Sequence, residues 1–193
     1  IILACNDILN NPEKYSDEFP IPVFQTGSGT QTNMNINEVI ANKANEKLGG
    51  KLGKYEFVHP NDHVNMSQST NDTFPTATLL GTVLAVEDNL IPALKILLKS
   101  INKKTKKFDK IIKVGRTHLQ DATPITLGQE FSGFESMIKN DLKRIELALK
   151  ECIELPIGGT AVGTGLNTLS GYDELMTSFI SEETGLDFEV CKN

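Results

Sequence analysis

No run of consecutive apolar residues in this chain of 193 approaches the eighteen or so that a membrane-spanning helix needs. The opening Ile1-Ile2-Leu3-Ala4-Cys5 is also too short for the core of a secretory signal. Net positive charge is lacking: 19 Lys and Arg against 25 Asp and Glu give a formal charge of −6. Such a chain has no global field to draw in nucleic acid or an anionic membrane, so neither partner is expected and any anion site has to be local. Cysteine is scarce. Cys5, Cys152 and Cys191 fall at spacings that match neither a zinc site nor a redox pair, which fits free thiols, most simply small buried hydrophobes, in a reducing compartment. Internal repeats and low-complexity tracts are absent. What is present, 39% hydrophobic and 23% charged residues, is the composition of an ordinary globular protein with room for one sizeable core or two small domains.

Hydrophobic periodicity supplies the frame. Leu80, Leu84, Leu90, Ile91, Leu94, Leu97, Leu98 and Ile101 keep largely to steps of three and four, which predicts a long helix over residues 72–107. Pro75 is read near its start, where a missing N–H costs nothing, and the Lys-rich end suits the negative pole of the helix dipole. Pro92 should kink or restart it. A second stripe, Leu127, Phe131, Phe134, Ile138, Leu142, Ile145, Leu149 and Ile153, stops before Pro156 and Gly158. Each such side chain contributes roughly 1.5–3 kcal/mol on burial, and neither stripe can bury itself, so the two helices should pack antiparallel and against further helices. Shorter helices are expected over residues 35–48 and 172–184. Ile1 stands inside a helix-like stretch with no cap before it, and residues 185–190 look like a connection leading onward, so the chain is expected to be a fragment.

Four polar segments lie between these helices. Residues 25–35 set two glycines and a series of short hydroxyl and amide side chains before a helix. Glycine allows close backbone approach to a ligand and a helix N-terminus offers unpaired N–H groups to an anion, but a capped polar loop has the same composition. A phosphate loop is disfavoured because no Gly-Lys-Ser/Thr follows. Residues 59–72 hold two of the three histidines; His59, Asp62 and His63 lack the further ligands that a metal site needs. Ser69, Thr70 and Asn71 put three successive donors at the mouth of the long helix, more than capping alone requires. Residues 115–124 place His118 among hydrogen-bonding neighbours, where an unperturbed pKa of about 6.5 suits either a general acid–base or a structural histidine. Residues 158–168 form a glycine-rich turn that could equally be a tight crossing between helices. The lysines between 99 and 113 lack interleaved stacking aromatics apart from Phe108 and read as a solvated helix end. Two glycosylation-like triplets, at Asn65 and Asn71, carry little weight without a secretory signal.

Taken together, Gln25-Thr26-Gly27-Ser28-Gly29-Thr30-Gln31-Thr32-Asn33-Met34-Asn35, His59-Pro60-Asn61-Asp62-His63-Val64-Asn65, Ser69-Thr70-Asn71-Asp72, Gly115-Arg116-Thr117-His118-Leu119-Gln120-Asp121 and Gly158-Gly159-Thr160-Ala161-Val162-Gly163-Thr164-Gly165-Leu166-Asn167-Thr168 closely resemble class II fumarases of the fumarase/aspartase superfamily. The likeness runs in order over nearly the whole chain. It implies an all-α fold, with a small partial N-terminal helical domain over residues 1–70 that carries anion-binding loops. Residues 71–193 would be the first long helices of a central antiparallel bundle, truncated at its C-terminal end. It implies a metal-free and cofactor-free lyase that reversibly hydrates fumarate to (S)-malate through an enediolate-like carbanion. The enzymes are homotetramers with active sites shared between subunits, in the cytoplasm or alternatively a mitochondrial matrix.

By the same resemblance His118 is the catalytic histidine. Ser28, Gly29 and Thr30, with Ser69, Thr70, Asn71 and Thr117, contact the substrate carboxylates, and His59, Pro60, Asn61 and Asp62 form an accessory dicarboxylate site. The family's catalytic serine, and the Lys, Asn and Glu that assist it, belong to a C-terminal segment not in this chain, so the piece alone is expected to be inactive. Thr70 departs from the usual second serine of fumarases and matches aspartases, which keeps aspartate ammonia-lyase as the alternative. Residues 26–32 and 158–160 speak for fumarase. A reading of another class makes these 193 residues a non-catalytic assembly module that self-associates.

Overall fold

A computed structural model describes residues 1–25 and 27–193; Thr26 of the first polar motif lies outside the described residues. The chain divides into two compact units, one of Ile1–Thr78 with Glu154–Asn193 and one of Leu79–Ile153.

The first unit opens with α1 (Ile2–Asn10), a 3₁₀ turn (Pro12–Glu18) and α2 (Thr30–Lys47). Ala4, Ala41, Ala44 and Val58 form its buried core, with Ile40 and Val64 packed against them. Alanine at the α1–α2 contact lets the helices approach closely. Asn45 is fully buried in this apolar setting because all its hydrogen-bonding capacity is used: its amide donates to the carbonyls of Ala41 and Val58, and its oxygen accepts from the N–H groups of Phe57 and Val58. That pins the segment after the helix back onto α2. A π-helical turn (Pro60–Val64) then leads to α3 (Thr70–Ala85). The unit closes with β3 (Glu154–Leu155), α6 (Tyr172–Thr184) and β4 (Glu189–Val190); β3 and β4 pair in parallel, and Leu155, Ile157 and Phe188 are buried.

In the second unit the end of α3 runs through a π-helical turn (Val86–Leu90) into α4 (Ile91–Lys107). The Ile91 N–H reaches back five residues to the Val86 carbonyl, one residue before Pro92. A proline cannot donate to the carbonyl four residues earlier, and the wider turn restarts the helix with Pro92 in its first turn, as the sequence leads one to expect. α4 packs on α5 (Leu127–Glu151), where Ile91, Leu142 and Leu149 are buried and Phe131 meets Phe108 and Phe134 edge to face at 5.4 and 5.8 Å. Thr126 starts α5 with a capping box closed by Gln129.

Three expectations need correction, and one helix adds a further observation. The helix read as starting at residue 35 starts at Thr30, because Thr32 and Asn33 find tertiary partners, Gln25 and Thr70, for their side chains rather than competing for their own backbone. Pro75 lies inside α3, not in its first turn, so the Asn71 carbonyl loses the donor that another residue at 75 would supply. Residues 112–126 form a β-hairpin of β1 (Ile112–Thr117) and β2 (Gln120–Thr126) within the mostly helical fold. One 18-residue stretch of the continuous helix Thr70–Lys107 is, by length and hydropathy alone, apolar enough to cross a membrane, although no run of consecutive apolar residues is.

Candidate active site

Three of the four polar segments come together in the first unit. Gly29 precedes α2 at φ +72°, and a Cβ there would stand 2.2 Å from the nearest ring atom of Phe74 in α3. Only glycine fits between that backbone and that ring, and the contact carries Ser28, Gly29 and Thr30 to the first turns of α3. A hydrogen bond fixes the same approach from α2: the Asn33 amide donates to the Thr70 hydroxyl at 2.9 Å and to the Asn65 side-chain oxygen at 3.3 Å. Asn37 donates to that oxygen at 3.1 Å, and Asn65 donates onward to the Gln68 carbonyl. An asparagine relay thus orders the strand of chain leading into α3.

At the head of α3, Ser69 is the cap. Its hydroxyl accepts the Asn71 N–H at 3.2 Å, and the Asp72 carboxylate, in the third helical position, accepts the Ser69 N–H at 2.9 Å, a variant of the capping box in which the hydroxyl takes the second helical N–H rather than the third. The glycine-rich segment 158–168, read from sequence as a tight turn, meets this helix end. Thr160 donates its N–H to the other Asp72 oxygen at 2.8 Å, and the Asn71 amide donates to the Ala161 carbonyl at 2.7 Å. Between them lies a cleft of about 480 Å³ lined by Asn71, Asp72, Gly158, Thr160, Ala161 and Asp173 among others. Tyr172 stands beside it with its hydroxyl buried; burial, and next the Asp72 charge, push the phenol above its usual range.

Residues 59–62 have a different character. The His59 Nδ1 accepts the N–H groups of Asn61 and Asp62, and His63 Nδ1 accepts the His59 N–H at 2.8 Å. Asp62 approaches His59 Nδ1 at 3.4 Å, which would be an ion pair only with that nitrogen protonated. With its side chain taking two N–H groups of the first turn, His59 is the cap of the π-helical turn. Pro60 is buried, while Asn61 and Asp62 are exposed. Among the described residues, no group of three or more His, Cys, Asp or Glu is arranged to hold a metal.

Thr117 and His118 belong to the second unit. β1 and β2 pair from Ile112 opposite Thr126 to Thr117 opposite Gln120, with a bulge in β2 where Ala122 and Thr123 oppose Gly115, at which a Cβ would meet the Thr123 carbonyl at 2.6 Å. That register leaves His118 and Leu119 as a two-residue turn, at φ +50° and +61°. Both values are those of a type I′ hairpin turn, usually made by Asn-Gly. Left-handed backbone at two side-chain-bearing residues is costly, and it presents His118 and Leu119, 92% exposed, at the tip.

Sequence reasoning assigned no role to Asp72, Asn33 or Asn65. The Ser69-x-x-Asp72 spacing is a capping-box signature that could have singled out Asp72; its bond to Thr160 has no local signal.

Comparison with known proteins agrees along the whole chain. The profile of a family described as lyase matches residues 1–193. The class II fumarate hydratase of Thermus aquaticus is 53% identical over 193 residues, covering 100% of this chain and 41% of that protein. The mitochondrial fumarate hydratase of Saccharomyces cerevisiae is 55% identical over 180 residues, 93% of this chain and 37% of that one. The crystal structure of a class II fumarase from Schistosoma mansoni superimposes with a TM-score of 0.86 at 39% identity, covering 100% of this chain and 43% of that one. The chain therefore spans about two fifths of the length of these relatives.

Proposed function

The chain belongs to the lyase family, and on that premise we propose that the protein carrying it interconverts fumarate and (S)-malate. The observation that supports this most is the meeting of Ser28–Thr30 with Ser69–Asn71 at one helix end, held by the Asn33–Thr70 bond and the Gly29–Phe74 contact. Removing a proton beside a carboxylate makes an enediolate-like dianion. Fixed neutral donors stabilise that growing charge, and removing one such donor typically costs about 10²–10³-fold in rate. Short hydroxyls, amides and helix N–H groups suit this without a metal or organic cofactor.

In this reading Ser28, Gly29, Thr30, Ser69, Thr70, Asn71 and Thr117 hold the carboxylates, and His118 handles the proton of the water added or expelled. His59, Pro60, Asn61 and Asp62 form an accessory dicarboxylate site. A hairpin tip is a suitable carrier for His118 if it enters a site completed by other subunits of a homotetramer. The 193 residues alone, about two fifths of the length of such a relative, would then be inactive.

Thr70 favours one competing reading, aspartate ammonia-lyase. Its hydroxyl already accepts the Asn33 amide, so it keeps one proton to donate to a substrate in either enzyme. Offering the full-length protein fumarate and, separately, L-aspartate decides between the two. Malate formation is expected; ammonia release without malate formation would establish the ammonia-lyase instead.

A further inference from the structure

Asp72 has no part in the reading above, yet it is the most deeply buried charged side chain among the described residues, 1% exposed. A carboxylate out of water is expensive unless its oxygens are hydrogen-bonded, and both are engaged. One accepts the Ser69 N–H within α3's own cap, the other the Thr160 N–H from 88 residues along the chain. A general base needs a lone pair aimed at substrate; oxygens so occupied, and so buried, are poorly placed for that. They are well placed to hold two pieces of backbone together.

The pieces matter. On one side is the run Ser69-Thr70-Asn71; on the other is the loop that also takes the Asn71 amide at the Ala161 carbonyl, 2.7 Å away. Thr160 itself sits at φ +58°, a left-handed conformation that a threonine keeps only where neighbouring bonds hold it. Asp72 restrains Ser69 through one oxygen and Thr160 through the other, and Asn71 repeats the tie from the next residue. Hydrogen bonds to an ionised acceptor are roughly twice as strong as neutral ones, which suits a tie that fixes donor positions to fractions of an ångström.

We propose that Asp72 is a positioning residue: it locks the carboxylate-binding run 69–71 onto the 158–165 loop and thereby sets where those donors stand. The proposal rests on the fumarate–malate reading of that run. Its test uses the full-length protein and Asp72→Asn, which keeps the size of the side chain but turns an NH₂ toward one of the two backbone N–H groups. KM for fumarate is expected to rise about tenfold or more, as for loss of one charge-assisted bond, with a smaller fall in kcat. Hydrogen exchange at the Thr160 amide should accelerate in the variant.

An active parent whose Asp72→Asn variant keeps KM within about twofold overturns the proposal. An inactive parent overturns the fumarate–malate reading itself, a different failure. Wild-type exchange decides the matter even if Asp72→Asn does not fold. The Ser69 and Thr160 amides should be protected together, and Thr160 should slow further when malate is bound. A Thr160 amide that exchanges like an open loop, or ignores malate, overturns the proposal.

Discussion

At the scale of single residues, the site depends on positions where one atom more would not fit. Gly29→Ala would place a methyl against the Phe74 ring and force an L-residue to φ +72°. We expect it to destabilise the protein by about 1–3 kcal/mol and to weaken fumarate binding, measured by urea unfolding and by KM. His118→Asn tests a chemical role instead. A tip residue that is 50° into positive φ tolerates asparagine well, so the backbone should survive. Turnover is expected to fall about 10²–10⁴-fold with little change in KM; equal loss in both would make His118 a positioning group. Both residues were legible from sequence as members of polar motifs. Asp72 was not singled out, because only half of its bonding is local. The Ser69-x-x-Asp72 cap is written in four consecutive residues, whereas the bond to Thr160 exists only once the chain has folded back across 88 positions.

Among the elements, the α4–α5 pair carries a pH dependence. The Glu135 side chain, 10% exposed, accepts from Lys139 at 2.5 Å and from Asn102 of α4 at 2.9 Å. The Lys139 bond first, then the Asn102 bond, hold its carboxyl below the ordinary value of 4.5. A depressed carboxylate contributes stability that is fully present above its unfolded pKa and is lost as pH falls through the folded value. Urea midpoints should therefore hold from pH 7 to about pH 5 and decline below about 4.5, and Glu135→Gln should flatten that decline. An unchanged acid slope in the variant would remove Glu135 from the account. The elements also differ in how plainly they were written. α5 and α6 follow a periodic stripe or clear caps and lie where the sequence puts them. The hairpin was missed because His118-Leu119 replaces the Asn-Gly that would announce a type I′ turn, and the first turns of α2 because Thr, Asn and Gln read as loop.

For the whole molecule, the apolar surface left on the second unit is the main fact. Ile96 (68% exposed), Leu97, Phe134, Met137 (61%) and Leu147 (62%) leave large faces of α4 and α5 uncovered within this chain. Contiguous apolar patches are rare on monomers, and we propose that these faces are covered in the assembled protein. Covered by equivalent helices of other subunits, they would complete the homotetramer. Sedimentation of the full-length protein should show a tetramer, and Met137→Glu with Leu147→Glu should shift it toward smaller species; an unaltered protein that sediments as a monomer would rule out the shared-site reading. By itself the sequence determined the helical class, the positions of the long amphipathic helices and the polar segments between them, because periodicity and caps act over a turn or two of chain. Only the tertiary structure decided which of those segments meet. Residues 28–30, 69–71 and 158–165 converge through Phe74, Asn33 and Asp72, whose bonds join positions tens of residues apart and leave no local pattern to read.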